Sequence, residues 1–123
     1  MNEDLRRALL TGGVCDITTI GRKTGAPRRI EVRLHNIDGK LYLSGQAGPR
    51  SWYANLLTHP EFTVHLKRDV QADVPARAIP VRDMAERRRV FVEMLDNIGR
   101  PKELEARMTG SPLVQLVIDM GQG

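Results

Sequence analysis

Thr18-Thr19-Ile20-Gly21-Arg22-Lys23-Thr24-Gly25-Ala26-Pro27-Arg28-Arg29 decides how this chain reads. It follows a β-prone run, Val14 to Ile20, and breaks it with a tight turn bounded by Gly21 and Gly25. Glycines there permit backbone conformations closed to other residues, so amide N–H groups can approach a ligand. Arg22, Lys23, Arg28 and Arg29 set cations on both flanks: the arginines as planar forks, the lysine as a mobile ammonium. Such a turn suits a small polyanion, a phosphodiester or a carboxylated tail. The charge is concentrated rather than global. Lys+Arg 19 against Asp+Glu 15 gives only +4 over 123 residues, yet Arg22 to Arg33 holds five basic residues and one acid, Glu31.

Outward from the turn, Ile30, Val32 and Leu34 alternate with Arg29, Glu31, Arg33 and His35, the pattern of a half-buried strand with a charged outer face. Asp38-Gly39 is a strong hairpin signal, and Lys40 to Gly45 returns with Leu41 and Leu43 inward and Tyr42 and Ser44 opposite. A loop from Gly45 to Arg50 leads to a short helix, Ser51 to Leu57, with Ser51 as its cap and an end before Pro60. Phe62, Val64 and Leu66 alternate in another strand. Val70 to Val81 reads as a long or bulged strand in which Pro75 and Pro80 call for an edge or a bend.

At the start, Asn2 to Thr11 has helical spacing, an Asn2 cap and a Gly12-Gly13 stop. Toward the end, Asp83 to Leu95 is the best helix, capped by Asp83 with Glu86 completing a capping box. Arg87-Arg88-Arg89 reads as its solvated face. Pro101 to Met108 is a helical return and Leu113 to Ile118 a final strand. Six short antiparallel strands with inserted helices exceed what one flat sheet of this size holds. A mainly β (α+β) single domain, residues 1–123, with a small barrel and helices at its ends, is the economical solution.

Composition narrows the function. Cys15 is alone, which leaves no disulfide framework or thiolate cluster, and it reads as a buried inert thiol. His35, His59 and His65 lack metal-ligand spacing, so no metal is expected. Aromatic content of 4% gives no stacking platform for nucleic acid. No apolar run approaches a membrane span and no signal-peptide core is visible, so a cytoplasmic protein is the default, with peripheral membrane contact left open.

Three signatures resemble the deazaflavin-dependent nitroreductase and quinone reductase family, which uses coenzyme F420 on a split β-barrel of the pyridoxamine-phosphate-oxidase-like superfamily. They are Thr18-Thr19-x-Gly-Arg-Lys-Thr-Gly-x-Pro-Arg28; Ser44-Gly45 leading through a loop to Trp52-Tyr53-x-Asn55-Leu56; and His59-Pro60 before Phe62-Thr63-Val64. The resemblance implies that Arg22, Lys23, Thr24 and Arg28 contact the coenzyme's phosphate and oligoglutamate tail. It implies that Ser44, Gly45, Gln46 and Ala47 lie along the deazaflavin ring, that Trp52 and Tyr53 close the pocket, and that Asn55 holds the loop. The implied activity is hydride transfer from reduced coenzyme to a quinone, nitro compound or activated alkene, with no catalytic residue assigned. Tyr42 and Tyr53 are the only tyrosines, so the substrate-shaping C-terminal tyrosines of one branch have no counterpart. FMN in place of F420, and a non-catalytic carrier of a fatty acid or similar lipophile, stand as alternatives. A homodimer is left open.

Overall fold

The computed structural model of the chain describes residues 1–119. Its elements are α1 (Glu3–Thr11), β1 (Gly13–Ile20), β2 (Pro27–Ile37), β3 (Lys40–Ser44), α2 (Ser51–Thr58), β4 (Glu61–Lys67), β5 (Gln71–Pro80), α3 (Met84–Asn97), a 3-10 turn (Pro101–Glu103), α4 (Leu104–Gly110) and β6 (Leu113–Val117). The six strands close into an antiparallel barrel in the order β1-β2-β3-β6-β5-β4.

The hairpins form where the turn chemistry demands. Asp38 and Gly39 both take positive φ, 55° and 82°, the primed turn whose twist matches its flanking strands. β2 then pairs with β3 from Leu34↔Leu43 to Ile37↔Lys40. The prolines of β5 sit where the ladder tolerates them. Pro75 pairs with Thr63 on one side only, because contact with β6 begins at Arg77↔Val117 and ends at Pro80↔Val114. The edge expected at Pro75 is therefore local, inside a closed sheet.

Inward residues fill the barrel: Cys15, Ile17, Leu34, Leu41, Leu43, Val64, Val74, Ala76, Ala78, Val114 and Leu116, plugged by Leu9 of α1 and Trp52 and Leu56 of α2. A second core lies outside the wall, where Ile37 and Tyr42 meet Val90, Phe91, Met94 and Leu95 of α3 and Met108 of α4. Tyr42, on the opposite side of β3 from Leu41, is thus fully buried by helices rather than facing water.

Two expectations are corrected. Ser51 is the first residue of α2, and Arg50 occupies the cap with no side-chain cap bond. Arg87 is not solvated like Arg88 and Arg89: it is only 8% exposed and its guanidinium donates to the carbonyls of Val81, Arg107, Met108 and Ser111. It also stacks 5.2 Å above the Phe91 ring. The apolar stripe of α3 runs Val90, Phe91, Met94 and Leu95, and Arg87 lies one turn before Val90 and Phe91 on that same face. By contrast the Asp83 cap is as expected, its Oδ2 accepting from the Glu86 N–H at 2.9 Å.

Antiparallel pairing gathers the basic turn, the β3–α2 loop, the β5–α3 link and the α4–β6 link at one end of the barrel. Ile20 faces Pro27, Ser44 faces Leu113, and Pro80 faces Val114. Arg87 joins two of those links. Arg87→Ala should lower stability by about 3 kcal/mol, since buried carbonyls lose their donors, while Arg88→Ala changes it by less than about 0.5 kcal/mol. Urea unfolding midpoints of the two variants check this contrast.

Candidate functional site

The basic turn is built by its own hydrogen bonds. Gly21 N–H donates to Ala26 O at 2.8 Å, Gly25 N–H to Gly21 O at 2.8 Å, and Ala26 N–H to Thr24 Oγ1 at 3.2 Å. Gly25 has φ +71°, as a turn of this kind requires. Gly21 is glycine for a different reason: a Cβ there would lie 2.9 Å from Thr24 Oγ1 and 3.2 Å from Ala26 O. The fourth amide, Arg22 N–H, donates to Asn55 Oδ1 at 3.0 Å. These four amides are therefore engaged within the protein, which leaves the side chains of the turn as its outward-facing groups. Arg22, Lys23, Thr24 and Arg28 are all exposed.

Asn55 explains how the turn is held. It is 4% exposed, and its Nδ2 donates to Thr19 Oγ1 at 3.1 Å while Oδ1 accepts from Arg22. The loop that Asn55 pins is thus the basic turn, and α2 is the strut between that turn and the Gly45–Arg50 loop. Four residues separate Asn55 from Ser51, about 6 Å along a helix.

The Gly45–Arg50 loop is tied from its other side. Arg107 Nη1 donates to Gly45 O at 2.8 Å, Gly48 N–H to Gly110 O at 3.0 Å, and Ser44 Oγ to Pro112 O at 2.6 Å. Ser44 therefore uses its hydroxyl proton to orient the backbone. Ala47 packs against Gly110, where an added Cβ would sit 3.2 Å from the alanine Cβ.

An open cleft of about 530 Å³ lies beside this loop, lined by Arg33, His35, Ser44, Gly45, Gln46, Asn97, Ile98, Arg100 and Arg107. Three of the ring-side residues read from sequence, Ser44, Gly45 and Gln46, meet in it. Trp52 does not: it is a barrel-core side chain, edge-on to Tyr53 with ring centroids 6.1 Å apart. Tyr53 faces a second cleft on the far side of the loop. The arginines and His35 were not singled out as site residues in the sequence. Arg33 and His35 show only as outward positions of a strand, and Arg107 reaches the loop from 62 residues away.

Electrostatically the first cleft is cationic. Arg107 is 7% exposed and keeps Glu103 as its carboxylate partner at 3.1 Å. Burial first, then the charges of Arg33 and Arg107, push the His35 imidazole down to about 4, so it is neutral at neutral pH. Cys15 lies outside the site; burial raises its thiol to about 11, which fits an inert core thiol.

The family profile for F420H(2)-dependent quinone reductase matches residues 6–113. The chain belongs to that family. It is accordingly an F420H2-dependent reductase, with coenzyme F420 rather than FMN as its cofactor. No curated protein matches it by sequence. Among solved structures it is similar to the conserved hypothetical protein Rv2991 from Mycobacterium tuberculosis (TM-score 0.73, 20% identity, 96% of this chain and 81% of that one). It is also similar to a putative pyridoxamine 5'-phosphate oxidase from Listeria innocua (0.69, 11%, 96% and 93%). A third is an F420-H2 dependent reductase, FDR-A (0.59, 17%, 85% and 93%). At these identities the structures establish the shared fold, and the family profile carries the activity. No helix of the described residues is long and apolar enough to cross a membrane.

The depressed His35 pKa has a thermodynamic consequence. Unfolded His35 titrates near 6.5 and the folded group near 4, so the unfolded state binds more protons between those values. The stability contributed by neutral His35 is complete above pH 6.5 and is lost as pH falls toward 4. Between about pH 7 and about pH 5 this reductase should lose about 2 kcal/mol through His35. His35→Gln should remove that part of the slope, read as the difference in urea midpoints at the two pH values.

Proposed function

We propose that this reductase passes a hydride to a small organic acceptor, a quinone, nitro compound or activated alkene, at the cleft of Arg33, His35 and Ser44 to Gln46. The observation that carries the reading is the coupling of that cleft to the basic turn at one barrel end, through the α2 strut and Asn55. The residues fit an acidic, ring-bearing cofactor. Arg22, Lys23, Thr24 and Arg28 would hold its anionic tail, and Ser44, Gly45, Gln46 and Ala47 would flank its ring. Tyr53 and Trp52 would brace the loop between them. Arg28 and Arg33 are five residues apart on β2, about 16 Å of extended chain, a span suited to a ring and a charged tail joined by a linker.

Reduced coenzyme, when bound, supplies the hydride; the protein supplies position and charge. Reduction leaves negative charge on an acceptor oxygen. Arg33 and Arg100 line the cleft as exposed cations, while Arg107, held by Gly45 O and Glu103, adds positive charge from behind the loop. Neutral His35 can offer an N–H to the same oxygen without first shedding a charge. Ser44 orients, since its proton is on Pro112 O. Ile98 is the one aliphatic side chain of this lining, which speaks against a fatty-acid carrier: an acyl chain would have to displace hydrated guanidinium groups.

Coenzyme fluorescence titration tests the assignment. Arg22→Ala and Lys23→Ala should each weaken coenzyme binding by about 1–3 kcal/mol, the range of a charge-assisted hydrogen bond, without a change in thermal midpoint. Asn55→Leu should weaken binding too, although the side chain of Asn55 bonds only Thr19 and the Arg22 amide. Unchanged affinity in the Lys23 variant would remove the tail site. Arg107→Gln should depress kcat more than coenzyme affinity in a quinone reduction assay.

A further inference from the structure

Beyond the Gly45–Arg50 loop lies a second cleft of about 550 Å³, whose lining includes Arg50, Tyr53, Arg82, Arg87, Met108 and Ser111. Three independent observations there point to a ligand. First, the buried guanidinium of Arg87 makes hydrogen bonds only to main-chain carbonyls. Among the described residues no carboxylate forms an ion pair with it, so the ring of Phe91 and carbonyl dipoles are its whole compensation. A cation withdrawn from water in this way leaves an unbalanced positive field.

Second, Ser111 lines the cleft at 5% exposure, and its buried Oγ has no hydrogen-bond partner. Buried hydroxyls are normally satisfied, and each exception calls for an explanation. Its carbonyl is already taken by Arg87 at 2.8 Å. Third, Arg50 and Arg82 stand on the lining, which contains no Asp or Glu. The nearest acid in sequence, Asp83, is engaged in capping α3. Cations are gathered here without their counter-charge.

We propose that this cleft is an oxyanion site for a carboxylate or phosphate group. Arg82 and Arg50 pair with the anion from the rim, Arg87 supplies fixed positive charge from behind, and a small shift of the Ser111 hydroxyl, closed to solvent as it stands, lets it donate to the anion. Val81, Met108 and Pro112 add apolar walls beside these cations. Two sources carry this chemistry: free inorganic phosphate, and the carboxylates of a bound coenzyme's tail, the second of which rests on the function proposed above. Arg50 closes the loop whose other end lines the first cleft. An anion held here would stiffen the wall the two clefts share.

Thermal unfolding of the full chain tests the site, titrated with inorganic phosphate, with γ-linked oligoglutamate, and with chloride at equal ionic strength as the reference. Phosphate or oligoglutamate should raise the midpoint beyond chloride, with an apparent affinity about tenfold weaker in Arg82→Ala, the loss of one charge-assisted hydrogen bond. Ser111→Ala should weaken the anion similarly while matching or exceeding wild-type stability without anion, because it deletes an orphaned hydroxyl. A response confined to phosphate assigns the free ion, and one confined to oligoglutamate assigns an acidic tail. No response beyond chloride, or one undiminished in both variants, overturns the site. The phosphate arm needs no coenzyme, so failure of the coenzyme titration with Arg22→Ala would leave it standing.

Discussion

The guanidinium of Arg87 sets the geometry on which one end of this barrel depends. It gathers the carbonyl of Val81, where β5 ends, and those of Arg107, Met108 and Ser111, where α4 turns into β6. That segment in turn holds the Gly45–Arg50 loop through Arg107 and Gly110. One side chain thus determines the position of a loop it never touches. The arrangement is economical in donors: helix α4 is seven residues long, and its last carbonyls have no intrahelical partner. Arg87 supplies a fork for them from α3. The same cation, buried without an acid, gives the neighbouring cleft its sign.

The two cationic groups at this end differ in what they can do. Arg22, Lys23 and Arg28 are in solvent, where each charge is screened and its pairing is weak in isolation. Their value lies in number and in the rigidity of the turn, fixed by four engaged amides and by Asn55. Arg107 is withdrawn from water, already paired with Glu103, and aimed at a loop carbonyl. Its field is less screened than theirs.

What the sequence made legible was local. Asp38-Gly39, the Asp83 cap and the alternation in β2 each fix an element through neighbours in the chain, and each element stands where it was read. Prolines in β5 called for an edge or a bend, and the edge exists at Pro75 without opening the sheet, because β6 pairs beyond it. The site was harder. Arg87 sits in a run of three arginines that looks like a solvated face, and nothing local marks it as the residue one turn before Val90 and Phe91 that bonds Val81 behind it and carbonyls 20 to 24 residues ahead. Arg107 reads as a surface residue of a short helix for the same reason. Trp52 shows the converse: its motif suggested a pocket wall, while its bulk and helical phase take it into the barrel core. Long-range hydrogen bonds leave no periodic trace in a sequence.

Barrel closure itself falls on a short seam. β1 and β2 pair over eight register positions, but β1 meets β4 over only three, Asp16↔His65 to Thr18↔Thr63. Side chains reinforce it on the outer face. Thr18 Oγ1 lies 2.6 Å from His65 Nε2, and His65 Nδ1 lies 2.7 Å from Asp73 Oδ1 across to β5. Lys67 on β4 bonds Asp16 of β1 at 2.7 Å and Glu31 of β2 at 2.6 Å, and Arg29 bonds Asp16 at 2.9 Å. Those partners hold the Asp16 carboxyl below, and the Lys67 ammonium above, their ordinary titration ranges. Exposed pairs are weak singly, yet contacts spanning β1, β2, β4 and β5 resist the one motion that would open the sheet, sliding of β4 against β1. Because β1 ends in the basic turn, register along this seam also decides whether Thr19 and Arg22 meet Asn55. The outer charges of the wall and the exposed charges of the turn are therefore parts of one mechanical problem: keeping a strand end fixed against a helix.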